Sequence, residues 1–167
     1  METNSGFHID LLTNGDRAAL KRCVGKTLND ADGTALTAFY KARPCGMPVW
    51  QENRAFAALC MDSLWRAEQR PIALPMEECL KRLEGSDSFQ RRVCALLDTR
   101  WSDEDGYLLV KIARLVRMIR HADMPMMPQI EQLFADLLYW NAENRTVQKR
   151  WARTLYNQIK EDSSHAV

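Results

Sequence analysis

The sequence predicts an all-α protein, a two-lobed helical bundle of about seven or eight helices. Apolar residues recur at three- and four-residue spacing along most of the chain. No stretch alternates apolar and polar residues convincingly, as a half-buried strand would. Proline, glycine and Asn/Asp clusters break the pattern into helix-sized pieces. With 167 residues and 46% hydrophobic content, the chain can bury a core of its own as one compact unit. Residues 1–98 and 99–167 are expected as its two lobes.

Each element has a local reason. In DRAALKRCVGKTL, Asp16 can cap a helix of about three turns that turns Ala19, Leu20, Cys23 and Val24 to one side. NDADG is a turn, and TALTAFYKAR is a helix stopped by Pro44. After the PCGMP loop, residues 49–68 read as a long amphipathic helix with Phe56, Leu59, Cys60, Ser63 and Leu64 on one face, closed by Pro71 and Pro75. Short helices are expected at Met76–Leu83 and Phe89–Leu97, and DTRWSDED (98–105) is a surface loop. A helix over 106–122, the MPMMP linker and two helices, PQIEQLFADLLYW and RTVQKRWARTLYNQI, complete the fold before the tail EDSSHAV, expected to be frayed.

Bulk chemistry excludes more than it selects. The formal net charge of +1 singles out no partner, so any electrostatic signal must be local. Cys23, Cys45, Cys60, Cys79 and Cys94 form no Cys-x-x-Cys pair or zinc-like cluster and read as reduced, buried thiols of a cytoplasmic protein. No run approaches a membrane span. His8, His121 and His165 are too scattered for a metal centre or an acid/base pair, and no phosphate loop or nucleophile elbow occurs. No catalytic residue, cofactor, metal site or small-molecule substrate is therefore expected. Glu77-Glu78 reads as a solvated helix start. Among Trp65, Trp101, Trp140 and Trp151, only Trp101, in a polar loop beside Arg100, is a candidate for stacking on a base.

The local signal is a pair of cationic stripes. On a helix of 100° per residue, GYLLVKIARLVRMIRHA places Leu108, Leu109, Ile112, Leu115, Val116 and Ile119 on one side. Lys111, Arg114, Arg117 and His121 fall on the other, with no acid among them. The last helix repeats this, with Arg145, Lys149 and Arg153 at i,i+4 spacing, Arg150 and Lys160 nearby, and Val147, Trp151, Leu155 and Ile159 turned away. A merely solvated face would usually interleave Glu or Asp for a few tenths of a kcal/mol per pair. Phosphates suit such stripes, because Arg offers each anion a fork of donors and binding releases counterions. Acids elsewhere, such as the 103–105 run or Glu77-Glu78, could instead pack against the stripes as intramolecular ion pairs. A membrane-surface helix is a weaker alternative, because both apolar faces are needed for the core.

QIEQLFADLLYWNAENRTVQKRWARTLY, preceded by LVRMIRHADMP, resembles the C-terminal signature of the CasB family, the small subunit of the type I-E CRISPR Cascade complex. GDRAALKR, AFYKARP and ENRAFAALCMDSLW resemble that family's N-terminal half, in the same order. The MPMMP linker and the longer TRWSDEDGY loop depart from its pattern. The resemblance implies a non-enzymatic helical subunit, paired head to tail with a second copy of itself and bridging the backbone and large subunits of the complex. It implies contacts to guide RNA and target DNA, including the displaced strand, that steady the R-loop through phosphates while pairing reads the sequence. The positions matching basic family residues are Lys21, Arg22, Arg54, Arg91, Arg92, Arg117, Arg145, Lys149 and Arg150. Lys111 and Arg114 join them from the charge pattern. A protein of another class also fits the sequence: a helical adaptor whose basic faces meet acidic partner proteins.

Overall fold

The computed structural model describes residues 6–83 and 85–157. Ile159, Lys160, His165 and the EDSSHAV tail lie outside the described residues. Eight α-helices are present among those described: α1 (Asn14–Arg22), α2 (Gly33–Ala42), α3 (Glu52–Asp62), α4 (Met76–Leu83), α5 (Asp87–Leu97), α6 (Tyr107–His121), α7 (Ile130–Leu138) and α8 (Thr146–Tyr156). The chain is all-α, with one small addition the sequence did not announce. β1 (Ala73–Leu74) and β2 (Met127–Pro128) pair in parallel, Ala73 opposite Met127 and Leu74 opposite Pro128. Two residues per strand are too few to show alternation.

α1 begins one turn earlier than expected. Thr13, not Asp16, is the cap: its hydroxyl accepts the Asp16 N–H at 3.1 Å, and the Asp16 carboxylate accepts the Thr13 N–H at 3.0 Å. These reciprocal bonds satisfy two of the donors a helix start leaves free. Lys41 Nζ, 2.5 Å from the same carboxylate, ties α2 to α1. The Lys41 bond, with the Thr13 N–H, holds Asp16 below the usual carboxylate range. The helix ends at Arg22, and Gly25 lies beyond it at φ 87°, a left-handed conformation that terminates helices.

The expected long amphipathic helix is shorter and buried all round. Val49–Gln51 forms a 3-10 turn, α3 stops at Asp62, and every side chain from Ala55 to Met61 is buried. Such a helix is a core element without a solvent face. It packs on α1, α6 and α7, while α4 packs on α8 and α6. Edge-to-face pairs fill the core, Phe39 with Phe56 at 5.7 Å and Trp140 with Trp151 at 5.1 Å between ring centroids. In α6, Leu108, Leu109, Ile112, Leu115, Val116 and Ile119 are all buried, each stabilising the fold by about 1.5–3 kcal/mol.

The five thiols are unpaired. Cys23, Cys60 and Cys79 are buried as expected, and burial pushes the Cys79 thiol up to about 12. Cys45 and Cys94 are exposed instead, since Cys45 sits in a loop and Cys94 on the outer side of α5. Among the described residues no helix is long and apolar enough to cross a membrane.

Candidate nucleic-acid interface

The cationic side of α6 faces outward. Arg114 and Arg117 are exposed, as is His121 in the last turn, where positive charge complements the helix dipole. Lys111 is half-buried, its ammonium 5.7 Å from the Tyr107 ring centroid. None of these makes an ion pair among the described residues. Two of the 103–105 acids turn elsewhere: Asp103 accepts from Asn53 and the Trp101 indole, and the Asp105 carboxylate accepts the Tyr107 N–H.

Three contacts set the order of the neighbouring cations. Arg92 of α5 reaches the Met118 sulfur at 3.7 Å, one helical turn from Arg114, and Arg91 is exposed beside it. At the far end of α5, Arg145 Nη2 donates to the Leu97 carbonyl and lies 3.9 Å from Asp98, which brings the start of α8 against α5. On the other flank of α6, a Cβ at Gly25 would sit 3.5 Å from that of Ala113, so the chain just past α1 lies against the turn before Arg117, and Lys21 of α1 shares a cleft with Arg120. The order is α1, α6, α5, α8, with Lys149 exposed on α8 one turn past Arg145.

The ion pairs on this band are weak. Arg22 and Asp32, 3.7 Å apart, have side chains 66% and 60% exposed, and Arg145 with Asp98 is similar. Such pairs contribute about 0–1 kcal/mol. An incoming phosphate can replace them at little cost.

Two of the expected residues are placed differently. Arg150 turns inward, its Nε 3.3 Å from Glu77 and its Nη2 2.5 Å from Asp136, both buried carboxylates. Burial raises Asp136 above the usual carboxylate range, even though Arg150 and the Trp151 indole N–H, at 3.0 Å, stabilise its charge. Glu77 is accordingly a buried ion-pair partner, correcting its reading as a solvated helix start. Arg54 donates from Nε to the Leu137 carbonyl at 3.1 Å, and its guanidinium covers the Trp101 ring at 4.9 Å. Burial pulls its pKa down, with Asp103 opposing. Both arginines join helices to one another. Their partners lie far away in sequence, out of reach of a helical wheel.

Trp101 is not a stacking surface. It is 5% exposed, lies under Arg54, and its indole N–H donates to Asp103 at 3.0 Å. The exposed tryptophan is Trp50, 62% exposed next to Val49 at 80%. The PCGMP loop just before them, which leads into a turn rather than a helix, was the available signal. Sequence reasoning also passed over Arg66 and Arg120, which stand beside Lys21 in one cleft. No group of three His, Cys, Asp or Glu that could hold a metal occurs among the described residues.

An all-helical protein built around a buried central helix, with cations from four helices ordered across its surface, is the class that fold and site define. A family model described as CRISPR-associated protein Cse2 (CRISPR_cse2) matches residues 16–156, and the chain belongs to that family. Solved structures share its fold. CasB of M. ruber is 17% identical with a TM-score of 0.69, covering 95% of this chain and 93% of that one. CasB from Thermus thermophilus is 19% identical with a TM-score of 0.65, covering 86% of each chain. A chain of a CRISPR RNA-guided surveillance complex is 20% identical with a TM-score of 0.67, covering 93% of this chain and 89% of that one. No curated protein matches the sequence.

Proposed function

We propose that the chain is the non-catalytic small subunit of a type I-E RNA-guided DNA surveillance complex, and that its basic band holds nucleic-acid backbone without reading bases. The observation that carries this is the outer side of α6, where exposed Arg114 and Arg117 stand between the flank touched by Arg92 and the one where Lys21 shares a cleft with Arg120, and neither makes an ion pair among the described residues. Family membership and a fold shared with a chain of a surveillance complex support the setting. The partners are then the backbone and large subunits, a second copy, guide RNA, and target DNA with its displaced strand. Guide pairing is close to balance against the duplex it replaces, so a few phosphate contacts suffice to tip it. Of the expected contacts, Arg54 and Arg150 act inside the fold and leave the rest to form the band.

The test is a complex assembled with Arg114→Glu and Arg117→Glu. Normal subunit composition with a shortened R-loop lifetime supports the reading. A second reading, an adaptor that binds acidic protein partners, is favoured by the exposed Val49–Trp50 pair, an apolar knuckle suited to a protein contact. It predicts lost assembly in that variant and no DNA cross-linking to the normal subunit.

A further inference from the structure

A second basic cluster lies where the ends of α1, α3 and α6 meet. Just past the end of α3, two carbonyls are taken by arginines from other helices: Arg17 Nη2 donates to Trp65 at 2.6 Å and Arg120 Nε to Leu64 at 3.0 Å. Cations suit a helix C-terminus, so these bonds have a structural purpose. They leave positive charge over. The buried Asp62 is gripped by both Nη atoms of Arg70, at 2.6 and 3.0 Å, and lies 3.8 Å from Arg17. Arg17 is 6% exposed, and its Nη1 has no acceptor among the described residues. Burial pulls its pKa down, Asp62 opposes that, and Arg70 adds to it.

Arg17 also lines a cleft of about 390 Å³ whose other walls include Lys21, Trp65, Arg66, Glu68 and Arg120. Neither Lys21 nor Arg66 makes an ion pair among the described residues, and Glu68 is the only acid on this wall. Lys21, Arg66 and Arg120 face the single carboxylate of Glu68 in a concave site, with Arg17, already beside Asp62, buried behind them, so the cleft is short of an anion. A carboxylate offers two acceptor oxygens in a plane. A phosphate fans its oxygens tetrahedrally and can engage donors arriving from α1, α6 and the segment after α3, with guanidinium forks gripping pairs of them.

We infer that this cleft is a phosphate seat, holding one phosphate group among Lys21, Arg66 and Arg120 at the α1 end of the basic band, with the charge of Arg17 behind them. That the phosphate belongs to a nucleic-acid strand rests on the function proposed above. Pyrophosphate titrated into the ¹⁵N-labelled full chain tests the seat itself, read at the arginine Nε–H and tryptophan indole resonances. Saturable shifts at Arg66, Arg120 and Trp65, with only weak linear drift at Arg114 and Arg117, are expected. Lys21→Ala with Arg66→Ala should abolish the saturation; these two are chosen because Arg17 and Arg120 hold the end of α3. Equal drift at every arginine, or an unchanged response in the double variant, would overturn the seat. With single-stranded DNA the same variant should flatten the logarithmic salt slope by about 0.7. Saturation by pyrophosphate without any DNA binding supports the seat and removes the strand. DNA binding with an unaltered slope and no saturation removes the seat and leaves the band.

Discussion

Replacing Arg150 with Ala separates cations that hold the fold from those that face outward. The guanidinium bridges Glu77 of α4 and Asp136 of α7 to α8, and the two carboxylate side chains are 6% and 4% exposed. Removing the cation leaves two buried negative charges near each other, with the Trp151 N–H and a long 3.5 Å bond from Gln132 as their remaining side-chain partners among the described residues. Breaking a buried pair from one side costs about 3–5 kcal/mol. Because the Arg150 side chain is 35% exposed, water screens part of its charge and the lower end, about 3 kcal/mol, applies. For a chain of this size the thermal midpoint should fall by roughly 6–12 °C. Lys149→Ala, one residue away and exposed, should stay within about 0.5 kcal/mol. The Arg150→Ala deficit should narrow as pH falls toward the carboxylate range, because burial already raises Asp136 and its protonation removes a stranded charge. Thermal and urea unfolding of both variants between pH 5 and 8 provide the check. Equal stability of the two, or a deficit in Arg150→Ala that ignores pH, would refute the assignment of Arg150 to the interior.

Asp16→Asn should destabilise the protein at neutral pH. The folded pKa of Asp16 is lowered, so its contribution is complete above its ordinary unfolded value near 4 and is lost as pH falls through the folded value. Acid unfolding curves of wild type and variant should therefore converge at the lowest pH, and parallel curves would contradict the capping box. Gly25→Ala forces a Cβ into φ 87° and should cost about 1–2 kcal/mol, read as a shifted urea midpoint; an unshifted midpoint would contradict the left-handed turn. Trp50→Phe should leave stability within about 0.5 kcal/mol while removing most of the acrylamide-quenchable emission, because the other four tryptophans are at most 5% exposed. Quenching that survives the substitution would show another indole to be open.

What the sequence made legible was periodic and local. The apolar side of α6 and its opposed cations follow from one helix's spacing, and the structure places them accordingly. Arg54 and Arg150 were illegible as fold-forming residues because their partners, Leu137, Glu77 and Asp136, lie 83, 73 and 14 residues away. Trp101 has polar neighbours in sequence, yet Asn141, 40 residues on, binds its backbone from both sides and Arg54 covers its ring. A wheel of α3 gathers Phe56, Leu59 and Cys60 on one face and looks amphipathic, but Ala55, Ala57 and Ala58 are buried as well, so the helix is enclosed on its alanine side too. The phosphate seat was hidden for the same reason as Arg150, its arginines arriving from α1, the chain after α3, and α6.

The salt dependence of single-stranded DNA binding by the full chain, with and without Arg114→Ala and Arg117→Ala, bears most directly on the central claim. The account predicts sequence-independent binding whose logarithmic salt slope flattens by about 0.7 for each phosphate that the variant no longer neutralises, while the thermal midpoint barely moves. A wild-type chain that ignores DNA at low salt, or a double variant with the parent's slope, would contradict it.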